Sequence, residues 1–460
     1  MTVVTNTQAD ELAQRVRGEI IRPGDRAYEK ARRVWNGMID RRPALIARCV
    51  GTADVIAALE FAHRSQLAVS VRGGGHGVAG KALCDDALLI DLGPIADVRV
   101  DRRSKTARVG AGATWAQVDA ETQAFGLAVT GGVDSRTGVA GLTLGGGIGY
   151  LARGYGLTID NLISAEVVLA DGQVVTASKA EHPDLFWALR GGGGNFGIVT
   201  SFEFRLHEVG PEVMTAQVFY PMTDAAAALS GYGSFMLDAS DDVGCFALFV
   251  NVPPVDPFPE DQHGKTTLAL VGCHAGDLET GAVELAPLAE FGDPMLSVVA
   301  PMPYTTLQSS FDAGAPDGGR YYWKATYLDD LSDDLVATLV GRVEPLPGAY
   351  SNVFVEPLGG AISRVQPSAT AFPHRGVRFG LGISSGWADP ADDEAAITWT
   401  RDLYAAIAAH GSGGVYSNYM DRDEAERASN AWGPNAARLQ DVKTTYDPEN
   451  LFHGNVELSG

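Results

Sequence analysis

Residues 72–80 read RGGGHGVAG and follow directly on the short apolar run LAVSVR at 67–72. The run has the pattern of a strand, and it stops at glycine. Glycine carries no side chain and reaches φ > 0 freely, so its N–H groups can approach a phosphate or a flat ring. One imidazole, His76, stands between Gly75 and Gly77 with little neighbouring bulk to shield it. A neutral imidazole nitrogen is a nucleophile near neutral pH. Two more glycine clusters follow, GGVDSRTGVAGLTLGGGIG at 131–149 and GGGGNFG at 191–197. The chain holds 55 glycines in 460 residues, well above the ~7% norm. One such cluster is ordinarily a turn. Three in the same half of a chain point to a dinucleotide with an extended pyrophosphate.

Two clusters match G-x-G-x-x-G, at Gly75-x-Gly77-x-x-Gly80 and Gly192-x-Gly194-x-x-Gly197. In a parallel βαβ dinucleotide site that motif follows a strand and opens a helix. Here the first runs into the strand-like ALLIDL at 87–92, and the second follows a helical stretch at 183–190 and precedes a strand at 198–206. Both orders are wrong for that fold. Working outward, the pattern predicts a helix over 52–65 with Thr52 as N-cap and a hairpin over 97–109. A helix over 114–125 and a hairpin over 165–178, turning at Asp171-Gly172, come next. Beyond Gly210 the glycine clusters thin. Longer strands are predicted at 244–252, 265–274, 320–327, 351–357 and 378–385, with helices at 332–342, 392–409 and 431–445. The fold class is α+β. The changes of texture divide the chain into 1–209, 210–412 and 413–460.

Lys and Arg number 35 against 57 Asp and Glu, a net charge of -22. That field repels polyanions, so neither nucleic acid nor an anionic membrane is an expected partner. Hydrophobic residues are 45% and charged residues 20%, the balance of a globular chain with a large core. No window offers the ~18 apolar residues of a membrane span. Cys49, Cys84, Cys245 and Cys273 form no CxxC pair, which favours buried thiols over disulfides or zinc. His63, His182, His207 and His263 show no ligand spacing, so no metal is expected. The first 15 residues are polar and contain Asp10 and Glu11. They do not read as a secretory signal, and a cytoplasmic location is expected.

Arg72-Gly-Gly-Gly-His76 resembles the R/K-x-x-G-H motif of berberine-bridge-enzyme-like FAD-linked oxidases, in the vanillyl-alcohol-oxidase (PCMH-type FAD) superfamily. The resemblance covers nearly the whole chain. GGGIGYLARGYGLTIDNL at 145–162 is similar to the family's flavin-binding segment, and DLFWALRGGGGNFG at 184–197 to its D-L-F-W-A-x-R-G-G-G-x-N-F-G motif. Tyr416-Ser-Asn418 resembles its Y-x-N motif, and YDPENLFHGN at 446–455 its C-terminal signature. The resemblance implies a PCMH-type FAD domain in two parts, 1–209 and 413–460. An antiparallel substrate domain covered by helices, 210–412, is inserted between them.

The resemblance also implies residue roles. His76 would carry FAD through an 8α-histidyl bond. Arg72, Gly73, Gly74, Gly75 and Gly77 would shape its loop. Gly132, Asp134, Thr137, Gly138 and Gly141 would form a second cofactor wall, and Gly145, Gly146, Gly149 and Asn161 a third. Gly197, Ile198, Val199, Asn418 and Asn455 would complete the set. Many relatives carry a second tether, a cysteine in C-x-x-[VLI]-G; here that stretch is Asp134-Ser-Arg-Thr-Gly138. A carboxylate cannot form the thioether, so a single bond is expected, as in the 6-hydroxynicotine-oxidase-like branch. Thr137 falls where residue size gates oxygen, and its Val-like shape favours an oxidase. The expected reaction moves a hydride from a C–H beside an alcohol or amine to flavin N5, with O2 reduced to peroxide. A dehydrogenase or cyclase of the same fold, or a protein that only holds FAD, is the alternative. Tyr416 would be the base, with Glu356 as the acid that tunes it. Tyr322, Trp323, Phe379 and Gln308 are candidate substrate contacts. A small molecule and O2 are the expected partners, in a monomer or small homo-oligomer.

Overall fold

The computed structural model describes residues 4–453. Asn455, expected at the cofactor, lies outside the described residues. The first region contributes β1 (Glu19–Ile21), β2 (Leu45–Arg48), β3 (Val69–Arg72), β4 (Leu88–Asp91), β5 (Val98–Asp101) and β6 (Thr106–Gly110). It continues with β7 (Leu127–Ala128), β8 (Leu162–Val168), β9 (Val174–Ser178), β10 (Ile198–Arg205) and β11 (His207–Glu208). β1-β2-β4-β3 form one sheet in which β2, β4 and β3 run parallel. β5-β6-β10-β8-β9 form a second, antiparallel sheet.

Helix Thr52–Ser65 packs one face into this core through Val55, Ala58, Leu59 and Ala62. Gly51 is its N-cap, not Thr52. The Thr52 hydroxyl is drawn instead to Glu166 Oε1 at 2.8 Å. Asp54, in the helix's first turn, ties it to the preceding chain by accepting the backbone N–H groups of Arg17, Gly18 and Val50.

The second region is built on β12 (Glu212–Pro221), β13 (Val243–Asn251), β14 (Thr266–His274), β15 (Leu296–Pro303), β16 (Arg320–Leu328), β17 (Asn352–Pro357) and β18 (Phe379–Trp387). They pair antiparallel in the order β15-β12-β14-β13-β17-β18-β16. Helices Ala225–Asp238, Leu278–Leu285, Asp333–Arg342 and Asp393–Ile407 bury one sheet face with Tyr232, Leu339 and Leu403. The other face meets the first region through Phe246, Leu248, Val271 and Tyr150. β12, β15 and helix Ala225–Asp238 were not anticipated from sequence. β15 carries Pro301 and Pro303, which an edge strand tolerates but a strand pattern hides. The helix expected over 431–445 is broken at Gly433-Pro434 into Ala428–Trp432 and Ala436–Tyr446. Proline offers no N–H and crowds the preceding turn.

Arg153 joins the regions. It is buried, and its guanidinium donates to the carbonyls of Val243 (3.0 Å), Leu358 (3.1 Å), Ala239 (2.8 Å) and Ser240 (3.3 Å). The tail returns to the glycine loops. Trp432 Nε1 donates to Gly191 O at 2.9 Å, and Asn418 Nδ2 to Leu142 O at 3.1 Å. No described helix is long and apolar enough to cross a membrane.

Candidate active site

A cavity of about 1000 Å³ lies between the glycine loops and the sheet face that the helices leave uncovered. One wall is main chain: Gly73, Gly74, Gly75 and Gly77; Gly132, Thr137, Gly138 and Gly141; then Gly197, Ile198 and Val199. The close packing of these loops is enforced. A Cβ on Gly74 would fall 2.5 Å from Gly138 Cα and 2.6 Å from its nitrogen. Gly77 and Gly141 instead face open space, with nothing within 4 Å of a Cβ position.

His76 lines this wall, mostly buried. Its ring stacks on Trp35 at 4.4 Å between centroids and 14° between planes, and Trp35 stacks on Tyr321 at 3.9 Å and 10°. The indole Nε1 is fixed by Ala315 O at 2.8 Å. His76 Nε2 is buried and faces Asp134 Oδ2 at 3.5 Å, too long for a full hydrogen bond. Arg136 holds that carboxylate through Nε (3.1 Å) and Nη2 (2.7 Å). Burial pushes the Asp134 carboxyl upward, but His76 and Arg136 outweigh it and hold the group well below the usual carboxylate range.

The opposite wall holds Glu356. Its Oε2 accepts from Tyr419 Oη at 2.9 Å, and its Oε1 is buried with no hydrogen-bond partner among the described residues. Burial pushes this carboxyl up to about 8, against the pull of the Tyr419 hydrogen bond. Glycines on β18 make room for it: a Cβ on Gly380 would fall 2.5 Å from Glu356 Oε1, and one on Gly382 only 2.1 Å from the Phe354 ring. Tyr416 also lines the cavity, yet its hydroxyl accepts from Gly147 N (2.7 Å) and Asn418 Nδ2 (2.9 Å) and makes no bond to Glu356. Burial raises its phenol. The tyrosine bonded to the acid is therefore Tyr419, three residues beyond the one expected from sequence.

Several expected contacts lie off the cavity. Arg72 is spent on Asp91 at 2.9 Å and on Arg33 O at 2.9 Å. Gly145 and Gly146 back the tail, where side chains would meet Asn418 and Tyr416, and Gly149 packs on Gly131 O. Asn161 bonds Tyr155 O, Leu157 O and His207. Gln308 joins Asp119 (3.2 Å) to Gly132 O (3.1 Å) in a buried contact. Strand alternation turns Tyr322 away from Tyr321 and Trp323 toward Asp423 (2.7 Å) and Arg401 (2.9 Å). Phe379 likewise faces the helices, against Tyr232. Trp35 and Tyr419 were missed, and of the consecutive aromatics 321–323 it is Tyr321 and Trp323 that line the cavity. Tyr419 directly follows the Y-x-N motif, a signal that adjacency offers; Trp35 sits in no motif.

Comparison with known proteins agrees with this architecture. A family model described as FAD binding domain matches residues 43–178, and one described as berberine and berberine like matches 415–456. An FAD-linked oxidoreductase of Dictyostelium discoideum is 30% identical over 454 residues, covering 98% of this chain and 96% of its own. (R)-6-hydroxynicotine oxidase of Paenarthrobacter nicotinovorans is 29% identical, covering 96% and 97%. The crystal structure of 6-hydroxy-D-nicotine oxidase from Arthrobacter nicotinovorans superposes with a TM-score of 0.85 at 27% identity, over 96% of this chain and 98% of that one.

The chain belongs to the berberine-bridge-like FAD-linked oxidoreductases. It is an FAD-dependent enzyme, and its residues fit that cofactor. The glycine wall brings main-chain groups to the cavity surface, and open glycines such as Gly77 and Gly141 leave the space a bound group fills. In this berberine-bridge-like chain Asp134 faces the histidine on the cavity wall.

Proposed function

We propose that this enzyme is an oxidase of a small alcohol or amine, with FAD bound covalently through His76 alone and O2 as acceptor. Under this reading residues 210–412 are the substrate region, inserted between the two parts of the cofactor region. FAD, held by the glycine wall and His76, would supply the hydride acceptor for the substrate carbon and the route of the electron pair to O2. The chain supplies position and proton transfer. Asp134 faces Nε2 of His76 and leaves Nδ1 to carry the tether. Trp35 covers one face of the imidazole and fixes its plane. Across the cavity, Tyr419 Oη accepts a proton from a substrate hydroxyl while its own proton moves to Glu356 Oε2. Gly147 N–H and Asn418 Nδ2 hold Tyr416 as a wall rather than a base. Thr137, on the cavity surface, supports the oxygen assignment through its small branched side chain.

The observation that carries the reading is one cavity lined both by His76 among glycines and by the Glu356–Tyr419 pair. The test is a denaturing gel viewed under ultraviolet light, with wild type beside His76→Ala. Flavin fluorescence should travel with the wild-type polypeptide and be absent from the variant. Fluorescence retained by His76→Ala, or lost from both, refutes the tether. Peroxide release on exposing the reduced protein to air checks the acceptor.

A further inference from the structure

The cavity does not end at Glu356 and Tyr419. Strand pairing sets Phe354, Leu248, Ala269 and Phe219 opposite one another across β17, β13, β14 and β12. All four line the cavity. At ~4.8 Å between neighbouring strands, the row is roughly 14 Å long. None of its side chains carries a hydrogen-bonding group. Phe246 and Val271, paired with each other one pleat along, line the same surface. Ala269 makes a notch between Leu248 and Phe219, its paired neighbours. The polar end of the row is also defined. Phe354 and Glu356 are two residues apart on one face of β17, about 7 Å along the strand. The row therefore begins beside the groups that handle the proton and runs away from them.

We infer that this row seats an extended apolar arm of the substrate, so that the substrate is an alcohol or amine bearing a long alkyl or aryl tail and not an oligosaccharide. The inference rests on the reading of the cavity as an oxidase site. A sugar chain laid along Phe354, Leu248, Ala269 and Phe219 would bury hydroxyls against side chains that offer no hydrogen bond, and each would weaken binding; Asn352 and Ser384 line the cavity beside Phe354, outside the row. A hydrocarbon or aromatic tail gains from the same surface.

The experiment titrates the flavin-loaded protein with 4-alkoxybenzyl alcohols from methoxy to hexyloxy, read through the change in flavin absorbance, with cellotriose and xylotriose alongside. Kd should fall by about four-fold for each methylene that reaches the row. Ala269→Phe fills the notch and should flatten the series, and Leu248→Asn should flatten it by a different route if Ala269→Phe fails to fold. A flat wild-type series, no response to any member, or tighter binding of the trisaccharides overturns the inference. The preparation itself separates the two readings. A colourless protein removes the flavin reading, whereas a yellow protein with a flat series removes only the apolar arm.

Discussion

The two walls of the cavity are built by opposite means. The cofactor wall is main chain, held so tightly that Gly73–Gly74 and Gly138 leave no room for a methyl group. The substrate wall is side chain, carried on strands whose glycines, Gly380 and Gly382, make room for the flexible ends of Glu356 and Phe354. A contact between two backbones cannot relax, while a contact with a side chain can. The first wall should therefore be brittle and the second adjustable, as suits a constant cofactor facing a variable substrate.

The largest effect should come from Gly74→Ala. Its Cβ meets backbone at 2.5 Å, so the loop cannot close. Folded protein that retains flavin should be lost, read as the ratio of flavin to protein absorbance. Normal flavin content in this variant would break the comparison. Glu356→Gln comes next and should lower kcat by roughly 10²–10³. Its pH profile is the sharper measure. The wild-type carboxyl, raised to about 8, is protonated below that pH and becomes an acceptor above it. Rate should therefore rise with pH through about 8 in the wild type and lose that limb in the variant. The same limb in Glu356→Gln would assign it to another group. A smaller effect is expected for Asp134→Asn, which removes the charge facing His76 Nε2. The fraction of flavin that survives denaturation should fall several-fold, while total flavin bound before denaturation stays similar. The smallest is Gly382→Ala. Its methyl displaces the Phe354 ring, at a cost on the order of 1–3 kcal/mol in thermal or denaturant unfolding, and the protein should stay yellow.

The same contrast governs what could be read from sequence. The glycine wall is legible because its constraint is local. A histidine between glycines after a strand, and the aspartate that comes to face it, are visible in a few consecutive letters. The α+β plan and most strand positions could also be read from alternation. The substrate wall could not, because facing depends on parity and on pairing between strands far apart in the chain. Tyr321, Tyr322 and Trp323 are consecutive, and nothing local says that the first and third face the cavity while Tyr322 turns to Asp423. Arg72 and Asn161 sit inside motifs yet serve Asp91 and His207, since motif membership does not reveal where a side chain points. Trp35 reaches His76 only through tertiary packing.

Arg153 has a consequence for building chimeras. Its guanidinium donates all its hydrogen bonds among the described residues to carbonyl oxygens of residues 239, 240, 243 and 358, and Asp241 adds a nearby charge. Every amino acid supplies that oxygen, so the hydrogen bonds of the socket depend on the path of the backbone, while Gly360, where a Cβ would fall 2.4 Å from Arg153 O, and the charge of Asp241 are its side-chain requirements. A donor sheet from another relative should seat on this acceptor wherever its loops trace the same course and keep that glycine and that charge, however much its other residues differ. Specificity could then be exchanged as a cassette without redrawing the joint.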